Sequence, residues 1–552
     1  MTESPPAAAG ALSVAPVPSS APTSKEDAHR IVRLLKKTSR VPRLGDAGAA
    51  GRRADAAALD ELRRTFGRLH SLYGRAAIDG GGGTGCAEGK YLAFLCAKHR
   101  EFEAALTGRL SARDDGDGDG GGGAHHPYRY ALRTALGVLA YRSSPEFDGR
   151  WLTDVVRASV RAAPGHFVPV GPAAAKEGGS GSALLSILVR DGLDPYADVR
   201  EGALRAVREI VREIIAQEEQ SGAGAGDDDD SDGARERRIE AADHLVKILI
   251  AVGVPTAEED EHFWTGGEEG GSPVTCLCPS SLRAIVAAAD ADDGGDDNDA
   301  EQPKHAKPAT PASDEVAFCS ALRAAHTFAW SAALSLRRHD LLSPPSVRLI
   351  LRHAPTGILG RIAAGSALPL LAQFFAETYG GTSSARGSPA HSVLVPLLAL
   401  HGTHLLVTRH GLSRPDFYPA LYALVTPASF HARCRTRFLR LLAQCLRSDR
   451  LPLHVAAAFA KRIARCALAV PPAGTLFCVA MVSNLVRRFP GIAALVHRTG
   501  GGGDGLKDVY DDGTDDPAKS RGEQHRAGGP SPVARTARVP SVCGVPRNTA
   551  RS

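Results

Sequence analysis

The stretch 415–442 reads PDFYPALYALVTPASFHARCRTRFLRLL, followed by LPLHVAAAFAKRIARCALAVPPAG at 451–474 and NLVRRFPGIAALVHR at 484–498. Apolar residues in these runs recur at three- and four-residue intervals. In the middle run Val455, Phe459, Ile463 and Cys466 share one face, which is helical and not strand spacing. Pro415, Pro427, Pro452, Pro471, Pro472 and Pro490 punctuate the runs, usually at a helix start or just past an end. Almost no segment of the chain alternates with period two. Aromatic residues make up only 5% of the sequence, so its cores must be built from Ala, Leu, Val and Ile. Cores rich in Ala and Leu favour helix over strand. The expected fold class is all-α.

Working upstream, helical patterns continue at Ala321–Arg338, Pro345–His353, Ile358–Thr378 and Val393–His410, and the runs quoted above extend them through Phe417–Leu424, Ser429–Arg447, Pro452–Val470 and Gly474–Phe489. Further back, Leu59, Leu62, Phe66, Leu69 and Leu72 mark another amphipathic helix. The segment DVREGALRAVREIVREII (Asp198–Ile215) is similar to the second helix of a HEAT repeat: Val199, Ala203, Ala206, Val207, Ile210, Val211 and Ile214 share a face, and its small alanines let a neighbour approach closely. Many such helices in series predict a HEAT/armadillo-like helical-repeat solenoid. Between them stand Gly- or Asp-rich stretches, Gly80–Gly85, Asp114–Gly123, Gly178–Gly181, Ser221–Gly233, Gly266–Gly271 and Asp290–Asp297, which cannot pack a core and are expected to be long disordered solvent loops. The expected organisation is a disordered N-terminus over 1–28, a divergent helical-repeat region over 29–320, a dense helical domain over 321–500 and an acidic-then-basic disordered tail over 501–552.

The charge is unevenly spread. The chain as a whole carries a net +5, but residues 321–498 hold 21 Lys+Arg against four acids, a net of +17. Twenty of those cations are Arg, which suits bidentate contact with phosphate or carboxylate. A surface of this kind attracts phosphate backbones and acidic protein segments. The cations cluster as Arg433, Arg435, Arg437 and Arg440 over two helical turns, as Lys461, Arg462 and Arg465, and as Arg487 and Arg488 at a helix end, where they also complement the helix dipole. These nine residues are the candidate RNA- or partner-binding surface. Lys461 and Arg465 are expected on a face next to the apolar one.

Catalytic chemistry is not legible. The Asp115–Gly120 run copies half of a calcium loop, but His126 stands where a bidentate Glu is required. Gly80–Tyr91 resembles a phosphate loop, but Thr84 replaces a needed glycine and Tyr91 a needed Ser or Thr. The ten cysteines contain no CxxC pair, and Cys434, Cys445, Cys466 and Cys478 sit in apolar helical patterns, which fits free thiols in a reducing compartment. His401 and His404 lie three apart on one helix with no carboxylates beside them, too few ligands for zinc. The expectation is no catalytic residue, no metal, no cofactor, no small-molecule substrate and no enzyme. The N-terminus lacks a signal-peptide pattern. The most apolar run, Val393–Val407, is broken by His401 and His404, so no membrane span is expected.

The order of Phe417, Tyr418, Leu421, Tyr422, Pro427, Phe430, Arg437, Phe438, Leu441 and Leu442, then Lys461, Arg462, Pro471, Pro472, Asn484, Leu485, Pro490, His497 and Arg498, resembles the nucleolar complex protein four group of the CCAAT-binding-factor domain family. Leu397–Tyr418 looks similar too, and 321–500 would then be the family's helical domain. The resemblance implies a non-enzymatic scaffold in the nucleus and nucleolus. It also implies binding to nucleolar protein fourteen and other small-subunit processome proteins, with pre-ribosomal RNA a further candidate partner. The work implied is small-subunit pre-rRNA processing and nuclear maturation or export of the particle. The family continues past its acidic segment, here DDGTDDPAKS (Asp511–Ser520), into a Trp- and Leu-containing helix. This chain runs instead into RGEQHRAGGPSPVARTARVPSVCGVPRNTARS, which reads either as a genuine disordered basic tail or as a truncated end at a misplaced exon boundary. The repeat-like segment alone equally permits a general adaptor for trafficking or transport, and the family's historical name suggests a transcription factor, though no DNA-reading motif is present.

Overall fold

The computed structural model describes residues 25–38, 49–74, 87–111, 127–162, 184–223, 230–265, 273–278, 280–292, 311–362, 367–384, 394–448, 451–495, 510–511 and 513–520. The 1–28 stretch lies outside these up to residue 24, as do the glycine-rich loops at 80–85, 114–123, 178–181 and 266–271, the aspartates at 293–297 and the basic stretch after Ser520. So do most of the two loop motifs at 80–91 and 115–126.

Among the described residues the chain is all-α, with no strand and one isolated bridge between Tyr196 and Thr275. It divides into two compact units, 1–371 and 372–552. The helix Pro311–Ser335 spans Ala321 and packs with the elements before it.

The first unit contains α1 (Lys25–Thr38), α2 (Ala49–Tyr73), α3 (Ala87–Ser111), α4 (Pro127–Arg142), α5 (Gly149–Val160), α6 (Leu184–Leu188), α7 (Ala197–Ala223), α8 (Asp230–Ala251), α9 (Asp260–Thr265), α10 (Ser281–Asp292), α11 (Pro311–Ser335) and α12 (Pro344–His353). These stack as neighbours: α2 and α3 on α4, α3 on α5, α5 on α7, α7 on α8 and α11, and α8 on α12. The helix α7 is the centre of the stack. Its predicted apolar face (Val199, Ala203, Ala206, Val207, Ile210, Val211, Ile214) is buried throughout. Its first-turn Asp198 is fully buried and accepts hydrogen bonds from the backbone N–H of Leu277 (2.9 Å) and Cys278 (2.8 Å) and from Ser281 Oγ (2.8 Å). A single carboxylate thus ties the loop 275–281 to the helix 80 residues before it. Two of the expected loops are partly helical: α7 runs on to Ala223, α8 begins at Asp230, and α10 reaches Asp292.

The second unit contains α13 (Ala367–Ser384, which crosses the division), α14 (Leu394–His410), α15 (Phe417–Ala423), α16 (Pro427–His431), α17 (Arg435–Cys445), α18 (Leu453–Cys466), α19 (Pro472–Arg488) and a 3₁₀ turn, Pro490–Leu495. One cluster of buried residues runs through it, built on Leu421, Tyr422, Phe438, Leu442, Phe459, Ile463 and Leu485. Two expected helices are broken. Ile358–Thr378 becomes a π-helical turn at Ala354–Ile358 followed by α13, and Ser429–Arg447 splits into α16 and α17 because the chain turns between His431 and Cys434.

Candidate interaction surface

The first basic cluster is a surface. Arg433 lies in the turn before α17, not on a helix, while Arg435, Arg437 and Arg440 lie on α17 itself; all four are exposed. The helix packs inward through Phe438, Leu441, Leu442 and Cys445, so its outer face is left to the guanidiniums. Arg447, just past its C-terminus, extends the exposed set and was missed by the sequence reading. Among the described residues no carboxylate pairs with Arg433, Arg435, Arg437 or Arg440. The first turn of α17 holds no acid, and Cys434 at its N-cap makes no capping bond. The positive end of the helix therefore adds to the side-chain charge. Arg437 also reaches back electrostatically to His401 on α14, whose imidazole is held below its ordinary range first by burial and then by that guanidinium.

The second cluster is not a surface. Lys461 is 1% exposed and Arg462 7% exposed, so both are withdrawn from the predicted binding face. They hold a strap made by residues 510–520, which the sequence placed in a disordered tail. Arg462 Nε donates to Val425 O (2.9 Å) and its Nη1 to Thr514 O (3.0 Å), its Nη2 lies 3.7 Å from Asp515 Oδ1, and its guanidinium stands 4.4 Å from the Tyr422 ring. The buried Tyr510 shares a 2.5 Å hydroxyl–hydroxyl hydrogen bond with Tyr422. Its ring receives Lys461 Nζ at 5.3 Å on one side and Arg465 at 4.4 Å. Arg465 is half-buried by the same contact. The strap closes on itself where Asp511 N–H donates to Ser520 O (3.2 Å). No neighbouring signal in the sequence marked this burial: the cations of α18 stand beside its apolar stripe as solvated ones would.

The third cluster, Arg487 and Arg488, ends α19 and is exposed. Of the nine residues named from sequence, the structure thus exposes Arg433, Arg435, Arg437, Arg440, Arg487 and Arg488, and turns Lys461, Arg462 and in part Arg465 to internal use. His404 stacks on Phe417 (5.9 Å between centroids) with Nδ1 3.5 Å from Cys445 Sγ; burial lowers its pKa and pushes the Cys445 thiol up to about 12, far from nucleophilic use. Among the described residues no group of His, Cys, Asp and Glu has the arrangement of a metal site, and no helix is long and apolar enough to cross a membrane.

Residues 396–527 match the CBF/Mak21 family model, a segment that takes in the strap. The chain is similar to a human protein named Nucleolar complex protein 4 homolog, 46% identical over 125 residues, which cover 23% of this chain and 24% of that protein. It is similar to the Arabidopsis thaliana Protein NUCLEOLAR COMPLEX ASSOCIATED 4, 47% identical over 103 residues (19% of this chain, 18% of that one), and to the Gallus gallus Nucleolar complex protein 4 homolog, 40% identical over 127 residues (23% and 25%). The match spans 18–25% of the length of these curated relatives.

Proposed function

We propose that this chain is a non-enzymatic assembly factor of ribosome biogenesis that works in the nucleus and nucleolus as a docking scaffold. The observation that carries this reading is the coincidence of sequence likeness and fold: the CBF/Mak21 family model matches residues 396–527, the helical unit whose core, strap and exposed arginines are described above, and the chain is 38–47% identical to nucleolar complex relatives over 103–127 residues. The unit presents a cation-rich face with almost no acid to neutralise it, the chemistry of a surface that holds polyanions. Burial raises the pKa of the Cys434, Cys445 and Cys478 thiols in this unit, which disfavours their nucleophilic thiolate form.

The finer reading is that the scaffold serves the small subunit: pre-rRNA processing and nuclear maturation or export of the particle, in contact with nucleolar protein fourteen and its processome neighbours. Affinity purification of the tagged full chain is expected to recover small-subunit assembly factors, that protein among them. Recovery of no such factor overturns the assignment. Imaging separates the alternative adaptor reading, since a cytosolic signal with no nucleolar focus belongs to a trafficking or transport adaptor.

A further inference from the structure

The hairpin of α18 and α19 carries an apolar tip beside the arginines. Leu476 is 73% exposed and Leu468 71% exposed, the two most exposed large apolar side chains among the described residues. Each stands next in sequence to a residue of one contact, in which Thr475 Oγ1 donates to Ala467 O (3.2 Å) and brings the first turn of α19 onto the end of α18. Pro471 and Pro472 are exposed between them. A leucine fully in water forgoes about 1.5–3 kcal/mol of burial, and exposed apolar groups gathered in one place mark an interaction site more often than scattered ones do.

Two observations fix what would cover this tip. The first is charge: Arg433, Arg435, Arg437, Arg440 and Arg487 are exposed on this unit, and among the described residues no carboxylate pairs with the four on or before α17. The second is adjacency. A Cβ on Gly474 would stand 3.5 Å from Phe430 of α16, so the tip lies against the turn that leads through exposed His431 to Arg433. Along α19 the exposed positions Leu476, Ala480, Asn484 and Arg487 follow helical spacing and change from apolar to cationic. That stripe is about 16 Å long at 1.5 Å per residue, some three turns of a facing helix.

We infer that this tip and the flanking arginines form one docking surface for an amphipathic, acidic helix of a protein partner, with the partner's apolar residues over Leu468 and Leu476 and its carboxylates toward Arg433 and Arg487. The inference rests on the reading of this unit as a docking scaffold and names the class of partner. An apolar tip continued by a stripe that turns cationic matches a partner with apolar groups on one side and carboxylates at its margin, so an amphipathic protein helix is the occupant the surface fits best. The helix-in-groove mode supplies the geometry: apolar anchors on one face, charge at the margin.

The test uses the full chain and three labelled probes: an amphipathic Leu/Glu helix of about 16 residues, roughly 24 Å long, its Leu/Lys counterpart, and a single-stranded oligouridine of similar length. Anisotropy is expected to show binding of the Leu/Glu peptide, weakened at least about tenfold by Leu468→Ser with Leu476→Ser, and weakened separately by Arg433→Glu. Both leucines are exposed, so thermal melting should be unchanged in the double variant. Equal binding of the Leu/Lys peptide, indifference to the leucine substitutions, no binding of the Leu/Glu peptide, or binding of oligouridine alone each overturns the inference. Failure here and failure of the function reading remain distinct. A double variant that still recovers every assembly factor sinks this surface alone, whereas a wild-type chain that recovers none sinks the broader reading.

Discussion

At the residue scale, similar-looking cations do opposite work. Arg437 points outward from a helix whose inward face is apolar, and it is free to meet a partner. Arg462 has its guanidinium spent on two backbone carbonyls, Val425 and Thr514, and on Asp515. Replacing Arg462 by Ala leaves buried acceptors unmade, so Arg462→Ala is expected to cost about 2–4 kcal/mol in denaturant unfolding without altering the affinity of surface-bound peptide. Arg437→Ala should show the reverse, within about 0.5 kcal/mol of wild type in stability. The buried histidines of the first unit give a second expectation. Burial holds His99 and His326 down to about 3, against 6.5 in an open chain. His326 Nε2 also accepts from Trp330 Nε1–H at 3.0 Å, a bond that protonation of that nitrogen abolishes. Between those pKa values the unfolded chain binds protons that the folded one refuses. This stability is therefore complete above about pH 6.5 and falls as pH drops toward 3, at up to about 1.4 kcal/mol per pH unit for each histidine. Urea midpoints at pH 5 should lie below those at pH 7.5. His326→Gln, which keeps an acceptor but does not titrate, should flatten the slope.

At the element scale, close approach decides which residues a helix can carry. Gly402 stands in the interior of α14, where glycine is ordinarily unfavourable by about 1 kcal/mol relative to alanine. Here a Cβ would stand 2.5 Å from the Phe375 ring of α13, and Phe375 is itself buried. Gly402→Ala is accordingly expected to destabilise the second unit by about 1–3 kcal/mol despite its better helix propensity, as read by the denaturation midpoint. A stabilised variant would show that Phe375 is free to move aside. Asp198 makes the complementary point in the first unit. An acid in a helix's first turn is ordinary, but this one is buried and reaches three groups from a segment 80 residues later. It joins elements that helical propensity alone would leave unlinked.

At the scale of the whole molecule, the second unit is completed by residues that the chain reaches only after a long interval. Tyr510, Pro517 and Ser520 are buried, and Tyr510 bonds to Tyr422, 88 residues earlier. A chain ending at Ser520 is expected to keep the thermal transition of this unit, while one ending at residue 509 should lose it or melt at least about 5 °C lower, since removing a buried aromatic side chain alone costs about 3–5 kcal/mol. Equal melting of the two would show that the strap is an ornament of the fold.

What the sequence by itself determined was everything written in local periodicity and composition: helices, the apolar faces of α7 and α18, the prolines at the starts of α16, α18 and α19, the segregation of positive charge and the family likeness over 415–498. These are properties of windows a few turns long, and hydrophobic spacing within such a window leaves little freedom about which side turns inward. Only the tertiary structure decided the rest. Arg462 sits one position from Ile463 in the apolar stripe of α18 and Lys461 two from Phe459 and Ile463, and nothing nearby in sequence says whether water or another layer lies over them. The covering layer begins at Tyr510. In the same way only the fold shows that α11, which spans Ala321, packs on α7. A helix announces its own face to a reader of sequence, but burial of a long charged side chain depends on what the rest of the chain brings to meet it.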